Sequence, residues 1–178
     1  MRTIGHKTLA RYLIAQYNEV KRAKKLAFTL GCIEPDINVF THLTASKKRS
    51  GVFDGHNYPV TENKILKMLD RLSRKRRKNS IVFWYRLGKL VHYVTDAFTY
   101  PHSPAFDGSV SEHVKYEHEF HDYFTARITD DIENGTEYEP AFETFTVLHE
   151  KYLSEIMSCR NDYAYIIAST AGAMHACV

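Results

Sequence analysis

Apolar residues recur along this chain mostly at three- and four-residue intervals, and strict alternation is scarce, so helix is the expected element throughout. From Lys7 to Leu30, the residues Leu9, Tyr12, Leu13, Gln16, Tyr17 and Val20 fall on one side of a single amphipathic helix, with Gly31 as its C-cap. Glu34-Pro35-Asp36 opens a turn, and Ile37 to Ala45 again has helical spacing. Ser46 to Pro59 is polar and rich in glycine and basic residues, which predicts a long loop carrying His56. A loop of that length inside a compact domain is usually functional. Further helices are expected from Thr61 to Leu72, Ile81 to Phe98, Ser111 to Asn134, Pro140 to Cys159 and Asp162 to Cys177, with Asn134-Gly135-Thr136 as a stop. Thr144 to Leu148 allows a strand in isolation, but its flanks favour helix. The fold class is all-α, a compact multi-helix bundle with its site between facing helices.

The segment from Ile81 to Phe98 is apolar over much of its circumference and reads as a core helix. Trp84, Leu87, Val91, Val94 and Phe98 form its buried stripe, and Gly88, His92 and Asp96 form an adjacent row with i,i+4 spacing. An ionised Asp buried beside a His needs a partner, and a divalent cation satisfies both. Pro101 stops the helix and leaves His102 on a loop. A second His and carboxylate with the same spacing, His113 and Glu117, follow on the next helix. Five potential ligands within 26 residues make a zinc site the leading chemistry, and two i,i+4 pairs suggest more than one ion. Scattered His and Asp on helix surfaces are the plainer alternative, and the paired spacing weighs against it.

Composition limits the other readings. A chain of 178 residues with 44% hydrophobic content is expected to form one domain, residues 1–178, with a real core. Three widely spaced cysteines, Cys32, Cys159 and Cys177, match no zinc knuckle or redox motif, and read as thiols in a reducing compartment. The start lacks the apolar stretch of a signal peptide and no run of 18 apolar residues is present, so a cytoplasmic location without a transmembrane segment is expected. Six cations between Arg71 and Lys78 read as a solvated helix end. With a net charge of only +3 and no interleaved aromatics, no stable nucleic-acid complex is expected.

Gly31-Cys-Ile-Glu-Pro-Asp36, then His92-x3-Asp96-x5-His102, then His113-x3-Glu117 resembles the zinc-dependent phospholipase C family from His6 to about Phe124. The family includes secreted phosphatidylcholine-hydrolysing enzymes and clostridial alpha-toxins. A weaker likeness is to the single-strand-specific zinc nucleases of the same fold. The resemblance implies an all-helical domain binding two or three zinc ions that hold and polarise a phosphodiester. His92 and Asp96 would hold one ion, with Asp96 bridging to a neighbour, and His102, His113 and Glu117 another. Asp36 matches the carboxylate that activates or orients the attacking water, with an ordinary helix N-cap as its plainer reading. His6 matches a ligand of the third, bridged ion. His56 and His42 compete as the remaining His ligand, with His56 favoured by its loop setting and His42 as a pocket or outer group. His121, one turn after Glu117, is an alternative outer ligand, whereas His118 points elsewhere and His149 and His175 sit on separate helices without acidic partners at ligand spacing. Glu112, Glu119 or backbone carbonyls are candidates to fix the imidazoles.

The family's N-terminal Trp, whose amine is itself a ligand, has no counterpart here, since the chain begins at Met1 and its first Trp is Trp84. The function implied is a metal-dependent phosphoric diester hydrolase acting on a phosphodiester, with a phospholipid headgroup as one candidate. The alternatives are a zinc-dependent nuclease or other phosphodiesterase, and a non-catalytic metal-binding member. Twelve Tyr and ten Phe offer a cage for a quaternary ammonium or simply core, and the sequence does not choose between them.

Overall fold

Seven α-helices and one 3₁₀ turn make up the computed structural model, which describes residues 1–37, 58–74, 80–136, 140–141 and 143–178. In chain order these are α1 (Thr3–Ala15), α2 (Arg22–Ile37), α3 (Tyr58–Ser73), α4 (Ile81–Ala97), the 3₁₀ turn (Tyr100–His102), α5 (Val110–Glu133), α6 (Phe145–Ser154) and α7 (Cys159–Cys177). No strand occurs among the described residues, and no helix there is long and apolar enough to cross a membrane. The all-α expectation is met.

Several starts are fixed by side-chain caps. Ser80, Thr144 and Ser158 each accept a hydrogen bond from a backbone N–H three residues on, and Ser109 forms a reciprocal capping box with Glu112. Glu112 therefore caps α5 and Glu119, exposed, lies one turn from Lys115, so neither takes the imidazole-fixing role considered above.

The single helix expected over Lys7–Leu30 is in fact two. Tyr17 N–H bonds the Ile14 carbonyl and Val20 N–H the Tyr17 carbonyl, both three residues back, which turns the chain between Ala15 and Arg22. Tyr17 and Val20 still pack on the core through this turn, so the apolar period runs on across a break that it cannot register. Gly31 does not cap a helix but lies inside α2, and Pro35 sits in that helix's last turn rather than opening a turn. Proline removes one hydrogen bond, and α2 ends two residues later. The expected loop and helix carrying His56 and His42 lie outside the described residues, except that Ile37 ends α2 and Tyr58 begins α3. Of the basic run, Arg71 and Arg74 are exposed at the end of α3, where Arg74 pairs with Asp70, and Lys75 to Lys78 are outside the described residues. The helix expected from Pro140 is shorter, starting at Phe145 behind its Thr144 cap.

α4 is the centre of the core: every residue from Leu90 to Thr99 is buried, and so are Trp84 and Leu87, the rest of the stripe named above. Its closest neighbour is α2, and the two glycines explain why. A Cβ on Gly31 would stand 2.1 Å from the Tyr85 carbonyl oxygen, and one on Gly88 would stand 2.1 Å from the Phe28 carbonyl oxygen. The helices thus meet backbone to backbone, with no side-chain layer between them. On the opposite side, His149 of α6 is buried among Phe98, Phe145 and Tyr152, its Nε2 donating to the Ala97 carbonyl at 2.9 Å.

Gly88→Ala is expected to destabilise the fold by about 3 kcal/mol, the upper end for overpacking, seen as a lower urea midpoint. Burial lowers the His149 pKa to about 4, outweighing the raising effects of the Ala97 hydrogen bond and Glu62. The unfolded chain, with its His near 6.5, therefore binds the extra proton between those values, and the stability this neutral ring contributes is lost as pH falls from about 6.5 to 4. His149→Phe should lose less stability than the parent over that interval, and an imidazole titration by NMR should put the His149 midpoint well below 6.5.

Candidate metal centre

Five elements deliver the donors. His92 and Asp96 stand one turn apart on α4, His6 comes from α1, and Asp36 from the last turn of α2, brought there by the glycine crossing. His102 lies on the 3₁₀ turn, not on an irregular loop, and His113 and Glu117 are one turn apart at the start of α5. Ligand atoms of His6, Asp36 and His92 all lie within 4.8 Å of one another, and those of His102, His113 and Glu117 do the same. Asp96 stands against the first group, with Oδ1 3.2 Å from His6 Nε2 and Oδ2 3.1 Å from His92 Nε2. The rings of His6 and His92 are stacked at 4.1 Å.

The two groups share one chamber. The Met1 amino nitrogen is 3.1 Å from Asp96 Oδ1, 3.2 Å from Glu117 Oε1 and 3.4 Å from His102 Nε2, so it lies between the carboxylate set against the first group and two members of the second.

Every expected site residue within the described residues enters this chamber, apart from His121. That residue, partly buried one turn beyond Glu117, belongs to neither group. His42 and His56 lie outside the described residues. Asp36 is part of a ligand cluster as well as a candidate for directing water.

Three contributors had no signal in the sequence. The Cys32 carbonyl accepts from His92 Nδ1–H at 2.9 Å, which fixes the tautomer and presents Nε2 to the carboxylates. The Thr3 hydroxyl donates to Asp36 Oδ2 at 2.8 Å, leaving Oδ1 on the side of His92, 3.7 Å from its Nε2. The third is the Met1 amine. A backbone carbonyl carries no residue code, and a lone Thr near a helix start has no distinguishing pattern.

Electrostatics divide the donors as metal binding requires. Burial first, and then neighbouring His92, lower the His6 pKa to about 4; burial also lowers His102, aided by the Met1 ammonium, and His113, aided by His102. These imidazoles are neutral at pH 7. Burial works to raise the carboxylates, but the surrounding cationic and donor groups prevail. Asp96 falls well below its ordinary value through Met1, His92, His6 and His102, and Glu117 falls to about 2 through His102 and Met1. Burial also opposes the charge on Met1, yet Asp96, Glu117 and Asp36 raise its amine to about 10.

Neutral imidazoles and ionised carboxylates are the donor set that zinc prefers. His6 Nε2, the ring nitrogen turned toward Asp96, is buried and makes no hydrogen bond among the described residues, which suits a ring held by coordination. The donors fit the metal.

An all-helical chain thus brings two groups of His and carboxylate donors, each able to hold a metal ion, next to one another. Residues 5–173 match the family model for zinc-dependent phospholipase C, nearly the whole chain, and the protein belongs to that family. No individual curated protein and no solved structure matches it.

Because Thr3 is the hydrogen-bond partner that orients Asp36, Thr3→Val should weaken zinc retention by the first group about tenfold, the lower range for loss of an outer partner. Competition with a chromophoric chelator would measure this, and unchanged retention would remove Thr3 from the site.

Proposed function

We propose that the protein is a phosphoric diester hydrolase of the phospholipase C type, with at least two zinc ions held by His6, Asp36, His92, Asp96, His102, His113 and Glu117. The observation that carries this reading is the position of the Met1 amino nitrogen between Asp96, set against the first donor group, and Glu117 and His102 of the second, which brings the two groups close enough that cations held by both would act on one phosphate. Charge supports the same count. Three carboxylates among neutral imidazoles, offset in part by the Met1 ammonium, would repel an anionic phosphodiester, and two divalent ions reverse that sign.

Bound zinc would supply Lewis acidity toward the phosphoryl oxygens and lower the pKa of water. The chain's own residues do the rest. Asp36, with Oδ2 held by Thr3, has Oδ1 directed toward the chamber, where it can orient the attacking water and take its proton. Neutral His6, His102 and His113 keep their lone pairs for coordination, and the Cys32 carbonyl holds His92 in the tautomer that does the same. Asp96, with one oxygen beside His6 and the other beside His92, would help hold a cation together with either ring. The substrate class is a phosphodiester, with a phospholipid headgroup favoured by the family.

Protein purified without chelator should carry two or more zinc equivalents, and chelation should abolish cleavage of phosphatidylcholine until zinc is restored. Asp36→Asn should lower turnover by at least about 100-fold, as expected for loss of a general base, and metal content measured in parallel would show whether its ligand role matters too. Cleavage of single-stranded DNA without phosphatidylcholine would move the protein to the nuclease reading. No chelator-sensitive cleavage of either, nor of an aryl phosphodiester, would leave a metal-binding member without catalysis.

A further inference from the structure

Asp162, the fourth residue of α7, is fully buried and receives three hydrogen bonds at 2.8 Å. Its Oδ2 accepts from the Tyr100 backbone N–H and from the Tyr116 hydroxyl, and its Oδ1 accepts from the Tyr152 hydroxyl. A carboxylate withdrawn from water costs several kcal/mol unless donors replace the water, and these three do so. Burial raises its pKa to about 6, while the three donors pull the other way.

The position of those donors gives the arrangement its meaning. Tyr100 opens the 3₁₀ turn that ends with His102, and the Ser103 N–H bond to the Tyr100 carbonyl closes that turn at 3.0 Å. Tyr116 directly precedes Glu117 on α5 and follows His113 by three residues. The rings of Tyr100 and Tyr116 also meet edge to face at 5.4 Å. One carboxylate oxygen therefore ties together the two elements that carry His102, His113 and Glu117. The turn and the start of α5 also meet through the Tyr100–Tyr116 and His102–His113 rings and the His102–Glu117 pair.

We infer that Asp162 is a positioning residue for the His102, His113 and Glu117 group, setting the distance between the 3₁₀ turn and α5 through Tyr100 and Tyr116. The inference rests on the metal-site reading above. Tyr152 supplies the internal comparison, because its hydroxyl bonds the same carboxylate from α6, which carries no ligand.

Tyr116→Phe and Tyr152→Phe each remove one hydroxyl from Asp162 without opening a cavity. Zinc retention against a chromophoric chelator, measured on the folded full chain, separates a positioning role from a purely structural one. Tyr116→Phe is expected to weaken one zinc equivalent about tenfold or more, the same equivalent that Glu117→Gln removes, and to leave the other unchanged. Tyr152→Phe is expected to lower the melting temperature but hold both equivalents like the parent. Equal loss in the two variants, or parental retention in Tyr116→Phe, overturns the inference while leaving the metal centre standing. Absence of bound zinc in the parent overturns both.

Discussion

The Asp96 carboxylate is the tie on which this structure depends. It lies in the fully buried stretch of α4, where an ionised group without partners would be too costly to keep. Among its partners in the described residues are His92 from its own helix, and His6 and the Met1 amine from α1 and the residues before it. Satisfying one buried charge therefore draws α1 onto α4. Closing the fold and assembling the site are the same event, which is why a site so polar can sit inside so apolar a helix.

The parts of this arrangement that were legible in the sequence are those with a local period. His92 and Asp96, and His113 and Glu117, stand together because residues four apart share a helix face, and no tertiary knowledge is needed to see it. The all-α class follows from the same periodicity. The long-range partners are a different matter. Asp162 reaches Tyr100 and Tyr116 across 62 and 46 positions of chain, and nothing in its neighbours Asn161 and Tyr163 marks it out. Gly31 was read as a helix end because a C-cap and a close helix crossing use the same property, the missing Cβ. Only the position of Gly88 on the opposite helix distinguishes them. The break after Ala15 was hidden because Tyr17 and Val20 keep facing the core through the turn.

Asp36 shows how much of a residue's setting lies beyond its local sequence. Its match to a water-directing carboxylate said nothing of its neighbours, and the structure sets it among His6 and His92 with Thr3 on its far oxygen. Base and ligand are compatible roles for one carboxylate, one oxygen being held while the other faces the chamber. The Thr3 bond is the feature that separates the two oxygens.

The glycine crossing also decides which wall of the chamber can breathe. Two helices in backbone contact have no compressible layer of side chains between them, so the wall made by α2 and α4 behaves as a fixed anvil. The opposite wall begins with Ser109, Val110 and Ser111, all exposed, and is fastened at that end by little more than its own cap. That first turn of α5 carries His113, so movement of this exposed end and the position of the second donor group are mechanically linked.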